Sequence, residues 1–119
     1  MSYQHAIVWL DHREARVIDF SVDDAHTKAI TNAVDARHVQ HQHKDFHEFF
    51  EEITTSLGNA VEILVVGPAT AKTDFVKFLK AKHPNKAKLV VGTEPLDHPT
   101  DGQLLAFARK YFKKYDQVH

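Results

Sequence analysis

The sequence predicts an α/β domain with the element order βββαβαβα. Three observations support this order: strand-like runs in the first thirty residues, a helical stripe of apolar side chains after them, and two apolar runs that end in glycine and precede helices. Two buried strands joined through a helix are expected to be parallel. The predicted architecture is therefore a mixed five-stranded sheet, an antiparallel meander plus two parallel strands, with three helices. A chain of 119 residues is the size of one domain, so residues 1–119 are expected to form a single domain.

The first third of the chain is predicted to be the antiparallel meander. Residues 4–10 are rich in β-branched and aromatic side chains and stop at a polar turn, and residues 14–20 alternate as a strand does. Residues 26–31 have a weaker strand pattern, which is typical of an edge strand.

The segment after the meander is predicted to be the first helix. Its apolar side chains recur at spacings of three and four and comprise Ala36, Val39, Phe46, Phe50, Ile53 and Leu57. Gly58 predicts the end of the helix. The start stays open: either the helix begins near Asp35, or residues 35–44 form a loop that leads into it.

The second half of the chain is predicted to alternate strands and helices. Residues 61–67 and 87–92 are continuous apolar runs, which are typical of buried parallel strands. The helix between them is expected to end near Pro84. The last helix is expected to begin at Thr100-x-x-Gln103, which has the spacing of a capping box.

The composition and the first residues of the chain exclude several classes of protein. No apolar run approaches the roughly 20 residues that a membrane helix needs, and the first residues lack the pattern of a signal peptide. The chain has no cysteine, which excludes disulfides and thiolate metal sites. We therefore expect a cytoplasmic protein without a membrane span.

The charge is divided unevenly along the chain. Residues 1–62 carry 11 acidic and 5 basic side chains, whereas residues 63–119 carry 5 acidic and 10 basic ones. The C-terminal half can therefore present a basic surface to RNA phosphates.

Three stretches of the sequence resemble a known family. The opening HAIVWLDHREARVIDF, and above all ILVVGPATAKTDFVKFL followed by KLVVGTEPLDHPTDGQLLAFA, resemble the middle domain of the class 1 peptide-chain release factor of eukaryotes and archaea, which Pelota and its bacterial relatives share. The resemblance covers nearly the whole chain. It implies a ribonuclease-H-like fold and a stand-alone copy of this domain.

The resemblance also implies a function, with one departure. In the release factor, the loop between the third strand and the first helix carries Gly-Gly-Gln, which promotes peptidyl-tRNA hydrolysis. The matching stretch here, TNAVDARHVQHQHK, contains no Gly-Gly pair, so hydrolysis is not carried over. The resemblance thus implies a non-catalytic, ribosome- or RNA-associated protein that acts as a translation accessory or stress factor.

Two groups of side chains are the candidates for binding RNA or another anion, because imidazole, guanidinium and ammonium groups donate to phosphate. The first group is Arg37, His38, His41 and Lys44; the second is Lys72, Arg109, Lys110, Lys113 and Lys114, with Lys80, Lys82, Lys86 and Lys88 as a basic rim. A solvated helix face, with basic residues that complement the helix dipole, is the structural alternative.

The histidine-rich stretch also suggests a metal site. His43 and His47 have the i, i+4 spacing at which one helix supplies two ligands to Zn²⁺ or Ni²⁺. The alternative is an ordinary helix face with scattered histidines. A third hypothesis is a pure interaction module, such as a homodimer formed through an edge strand or the first helix.

Two enzymatic sites are incomplete in this sequence. The stretch GPATAKT, residues 67–73, lacks the second glycine of a phosphate-binding P-loop. A nuclease site would need several carboxylates around two metal ions; Asp11 with Glu48 or Glu51 would supply some of them, but the strand at 61–67 ends without an acid.

Overall fold

The computed structural model describes residues 4–32 and 42–118, with side-chain positions from Phe46 onward in the first helix and up to Gln117 in the last. The strands are β1 (His5–Leu10), β2 (Glu14–Phe20), β3 (Ala25–Thr31), β4 (Glu62–Gly67) and β5 (Val90–Pro95). The helices are α1 (Gln42–Ser56), α2 (Ala71–Lys82), α3 (Pro84–Ala87) and α4 (Asp101–Val118).

The five strands form one sheet in the order β3-β2-β1-β4-β5. The β1–β2 and β2–β3 pairs are antiparallel, whereas β1–β4 and β4–β5 are parallel. The predicted meander, the two predicted parallel strands and the edge position of β3 are therefore confirmed. We call the end of the sheet where β1, β4 and β5 finish its carboxyl end, and the opposite end its amino end.

The central strands carry apolar side chains on both faces, and helices cover both faces of the sheet. On one face, Val8, Val17 and Val65 pack against residues of α1 and α2, such as Ile53 and Phe75. On the other face, the sheet packs against one stripe of α4, and this core contains Ile7, Trp9, Ile18, Phe20, Leu64, Val66, Leu104, Ala108 and Phe112. The domain is thus a three-layer α/β/α arrangement.

The region between α2 and α4 differs from the prediction. Pro84 begins one additional turn of helix, α3, so the described residues form four helices, and β5 begins at Val90 rather than at residue 87. Proline favours the first turn of a helix because its fixed φ suits that position and it needs no hydrogen-bond partner for its nitrogen. β5 is also an edge strand and half-buried, not an interior strand, because β4 is its one neighbour among the described strands.

The helix ends follow local signals. Gly58 has φ of +57°, the left-handed conformation that closes a helix at low cost for glycine. Thr100 and Gln103 form the predicted capping box: the amide of Thr100 donates to Gln103 Oε1 at 2.9 Å, and the amide of Gln103 donates to Thr100 Oγ1 at 3.1 Å. Within the described ranges, no helix is long and apolar enough to cross a bilayer.

Candidate nucleic-acid interface

The segment that contains α2 and α3 is strongly basic. Residues 71–88 carry six lysines against one acid, Asp74. Four of these lysines are exposed and, within the described part of the chain, make no ion pair or hydrogen bond: Lys77, Lys80, Lys82 and Lys88. Free ammonium groups at this density produce a positive potential that attracts polyanions.

The topology brings a second basic group to the same end of the sheet. α2 and α4 both begin at the carboxyl end and run back to the amino end, where Lys86 Nζ donates to the carbonyl of Gly58 and Asp116 lies beside His5. Lys110, Lys113 and Lys114 are exposed on the second half of α4. The lysines at the end of α2, Lys88 after α3 and the lysines of α4 therefore share the amino end, on opposite faces of the sheet. We call these six exposed side chains the amino-end lysines: Lys80, Lys82, Lys88, Lys110, Lys113 and Lys114.

Arg109 and Lys72, which were also predicted to bind RNA or another anion, make hydrogen bonds within the fold. One guanidinium nitrogen of Arg109 donates to the carbonyl of Ser21 at 3.1 Å, and the guanidinium lies 6.0 Å from the centre of the Phe20 ring. Arg109 thus ties α4 to the turn between β2 and β3. Lys72 Nζ donates to the carbonyl of Ala69 at the start of α2, at the carboxyl end of the sheet.

The predicted histidine-rich contacts fall outside the residues and side chains that the structure describes. Arg37, His38 and His41 lie outside the described residues; Lys44 and His43 lie in α1, and the positions of their side chains are not described. The residues that flank this stretch lie at the carboxyl end: the amide of Asn32 donates to the carbonyl of Arg13 at 2.8 Å, and the Phe46 ring lies 5.1 Å from that of His12. The described residues on either side of this stretch therefore lie at the carboxyl end, opposite to the amino-end lysines.

His47, the second predicted metal ligand, lies beside a carboxylate. Its Nε2 is 3.8 Å from one oxygen of Glu51, and the Nε2 of His83 is 2.7 Å from the other. Glu51 thus joins α1 to the end of α2. The rings of His47 and Phe78 are nearly perpendicular and form a T-shaped contact, with 5.4 Å between their centres.

At the carboxyl end, the fold brings Asp11 and Trp9 to the sequence neighbours Asp97 and His98. His98 Nδ1 lies 2.8 Å from Asp97 Oδ1, its Nε2 lies 3.6 Å from Asp11 Oδ2, and its ring stands 4.9 Å from that of Trp9. The hydrogen bond to Asp97, and secondarily Asp11, raises the pKa of His98. Asp11, one of the carboxylates considered for a nuclease, also accepts hydrogen bonds from the amides of Arg13 and Glu14 in a tight turn.

Three solved structures illustrate the proteins whose fold this chain resembles. Pelota of Archaeoglobus fulgidus matches 92% of this chain with a TM-score of 0.67 and 17% identity. The archaeal translation termination factor aRF1 matches 82% with a TM-score of 0.58 and 16% identity. Dom34 of S. cerevisiae, a translation termination-like factor involved in RNA quality control pathways and interacting with Hbs1, matches 76% with a TM-score of 0.52 and 11% identity.

The likeness covers one part of each of those proteins. The matched region is 32% of Pelota, 31% of aRF1 and 28% of Dom34, so the chain spans about a third of their length. No protein-family profile and no curated protein sequence matches the chain. The structural matches confirm the fold predicted from the sequence resemblance: the chain is similar in fold to one domain of Pelota and of the archaeal termination factor.

Proposed function

We propose that this protein is a non-catalytic translation accessory factor that binds ribosomal or other structured RNA through the amino-end lysines. The fold likeness supports a role in translation, because aRF1 is a translation termination factor and Dom34 is a translation termination-like factor. The observation that carries the proposal is a group of exposed lysines at one end of the sheet that make no ion pair or hydrogen bond to the described residues. Phosphate contacts of this kind supply affinity without reading sequence.

The lack of Gly-Gly-Gln in the stretch before α1 supports an accessory role rather than peptide release. Arg37, His38, His41 and Lys44 remain predicted anion contacts.

The test is sedimentation of the untagged protein with ribosomes through sucrose gradients at low and raised salt. Each lysine contact to phosphate adds to the salt dependence, so the bound fraction is expected to fall steeply as salt rises. Two charge-matched triple variants locate the contact: Lys80, Lys82 and Lys88 to Gln, and Lys110, Lys113 and Lys114 to Gln. A third variant, Arg37, His38 and His41 to Gln, tests the histidine-rich stretch.

Loss of co-sedimentation in either lysine variant, with an unchanged circular dichroism spectrum, would support the proposal and identify the face. Migration at the top of every gradient, including the one at low salt, would contradict it. A zinc chelator that spares Mg²⁺ is added in a parallel gradient to separate RNA binding from any effect of a transition metal.

Two alternative functions, metal binding and homodimerisation, are tested separately. A Zn²⁺ or Ni²⁺ site at His43 and His47 predicts metal in the protein purified without an affinity tag, and its loss in the double Gln variant. A homodimer predicts a concentration-dependent sedimentation coefficient in the absence of RNA.

A further inference from the structure

Three side chains with metal-ligating atoms converge at the amino end of the sheet, on the face covered by α4. His5 Nε2 lies 2.8 Å from Glu62 Oε1 and 3.4 Å from Asp116 Oδ2. The three ligand atoms all lie within 4.8 Å of one another, and no other group of three such residues within the described ranges converges in this way. The side chains come from β1, β4 and α4, so the group exists only in the folded chain.

The register of the sheet fixes two of the three side chains. His5 and Glu62 are paired positions at the starts of the neighbouring parallel strands β1 and β4. The next inward-facing positions of these strands, Ile7 and Leu64, are fully buried under α4. His5 and Glu62 therefore continue the two apolar rows to the edge of the core, where their polar atoms reach partial exposure.

The periodicity of α4 fixes the third side chain. Leu104, Ala108 and Phe112 are spaced by four and form the buried stripe of the helix, and Asp116 is the next position on that stripe. Asp116 also lies in the last turn of α4, which contains no basic residue. A carboxylate is unfavourable at the negative end of a helix dipole, so a cation beside Asp116 would relieve this repulsion.

Two aromatic rings hold the imidazole in place. The His5 ring stacks on Phe20 with 5.6 Å between ring centres and an interplanar angle of 22°, and it lies 4.5 Å from the ring of Phe112. Its side chain is 21% exposed. A ligand that is already oriented by packing loses little entropy when it binds a metal ion.

We propose that His5, Glu62 and Asp116 bind one divalent transition-metal ion, with Zn²⁺ as the best fit. One imidazole nitrogen with two carboxylate oxygens is a donor set that zinc accepts, and a water molecule completes four-coordination. Zinc bonds of about 2.0–2.2 Å place tetrahedral ligand atoms roughly 3.3–3.6 Å apart. The distance from His5 to Asp116 already has this value, and Glu62 needs to withdraw from His5 by roughly 0.5 Å. The imidazole nitrogen disfavours Mg²⁺ and Ca²⁺, which prefer oxygen ligands.

The site connects the last turn of α4 to β1 and β4, two central strands of the sheet. Its ligands are distinct from His43 and His47, and it does not depend on RNA binding. A bound ion would therefore stabilise the carboxyl-terminal helix against the sheet.

The experiment is isothermal titration of the full chain, purified without an affinity tag and stripped with a chelator, with ZnCl₂. We expect one site, and we expect its affinity to fall about tenfold or more in His5→Gln and in Asp116→Asn. The double variant His43→Gln with His47→Gln is the matched control and is expected to keep the site. Co²⁺ added in place of Zn²⁺ gives a visible absorption band that reports nitrogen and oxygen coordination directly.

His5→Gln removes a packed ring, so a loss of binding in that variant can result from a weakened fold. Asp116 is exposed at a helix end, and Asp116→Asn therefore tests the metal site without disturbing the core. Zinc is expected to raise the melting temperature of the natural protein and to have little effect on that of Asp116→Asn. Absence of binding in the natural protein would overturn the proposal and leave only the polar contacts of His5 with the two carboxylates. Binding that survives Asp116→Asn and is lost in the His43/His47 variant would overturn it as well.

Discussion

A Cβ atom on Gly67 would lie 2.2 Å from the carbonyl oxygen of Leu10. Gly67 ends β4 and Leu10 ends β1, the two parallel strands at the centre of the sheet. The carbonyl of Gly67 also accepts a hydrogen bond from the amide of Leu96, which fixes the chain after β5. Gly67 is therefore required because the backbones of β1 and β4 approach each other closely at the carboxyl end. This steric role explains the glycine at the start of the GPATAKT stretch, which does not have the complete pattern of a phosphate-binding loop.

Gly67→Ala is expected to lower the free energy of unfolding by about 1–3 kcal/mol or more, because the added methyl group meets backbone that cannot rotate away. Urea unfolding followed by circular dichroism measures this. Gly102→Ala is the matched control: its Cβ would have Thr100 Oγ1 as its nearest neighbour at 4.0 Å, in the exposed first turn of α4. The control is expected to be neutral or to stabilise the protein by about 0.5–1 kcal/mol. Equal destabilisation by both substitutions would contradict the steric explanation.

Two threonines at helix starts are expected to differ in their contribution to stability. Thr100 caps α4 through its hydroxyl, and Thr70 is the N-cap residue of α2 but makes no side-chain capping bond. Thr100→Ala is therefore expected to cost about 1 kcal/mol, and Thr70→Ala much less. Thermal unfolding of both variants under the same conditions tests this, and a larger loss at Thr70 would show that the hydroxyl of Thr70 has a role in solution that this geometry does not explain.

Asp19 is expected to make stability depend on pH. It is 8% exposed in β2, and within the described part of the chain no donor reaches its Oδ1; the nearest cation, Lys28, is 3.9 Å from Oδ2. Burial raises the pKa of Asp19 above 3.8, against the opposing attraction of Lys28, His26 and Lys86. Ionised Asp19 therefore destabilises the fold at pH 7, and protonation relieves this cost as the pH falls through the folded-state pKa.

Asp19→Asn removes that charge, so at pH 7 the variant is expected to be more stable by about 1 kcal/mol. The difference from the natural protein should shrink as the pH falls towards 3.8, the pKa of an unperturbed carboxyl. Urea unfolding at several pH values measures it. Asp23→Asn, at an exposed turn position, is the control for a change of net charge. A difference that stays constant with pH would contradict the assignment to Asp19 ionisation.

His98 is expected to titrate above the usual value of 6.5, mainly because Asp97 accepts its hydrogen bond. Asp97→Asn should lower the pKa of His98 more than Asp11→Asn does, and Asp23→Asn should leave it in place. Because the folded-state pKa is raised, the stabilisation from this contact is fully present below 6.5 and is lost as the pH rises through the folded-state pKa. NMR titration of the imidazole protons measures the shift; an identical pKa in Asp97→Asn would contradict the proposed cause.

Local patterns in the sequence were sufficient for most elements. The alternation of residues 14–20, the apolar runs before Gly67 and Gly92 and the capping box at Thr100 report backbone preferences within a few residues. The order of elements then restricts the pairing, since a strand that follows a helical crossover lies parallel to its predecessor. The additional helix at Pro84 and the edge position of β5 were not predicted, because a proline marks both a helix end and a helix start, and because an apolar run does not show how many neighbours a strand has.

The sequence by itself determined the fold class, the strand order of the meander and the excess of lysines in the second half. Only the tertiary structure decided which charged groups are neighbours. It placed Lys110, Lys113 and Lys114 at the amino end of the sheet, engaged Arg109 and Lys72 in contacts within the fold, and brought together His5, Glu62 and Asp116, which are far apart in the sequence. Secondary structure depends on interactions between residues close in sequence, whereas a binding site depends on strand register and helix packing, which are long-range and have no local signature.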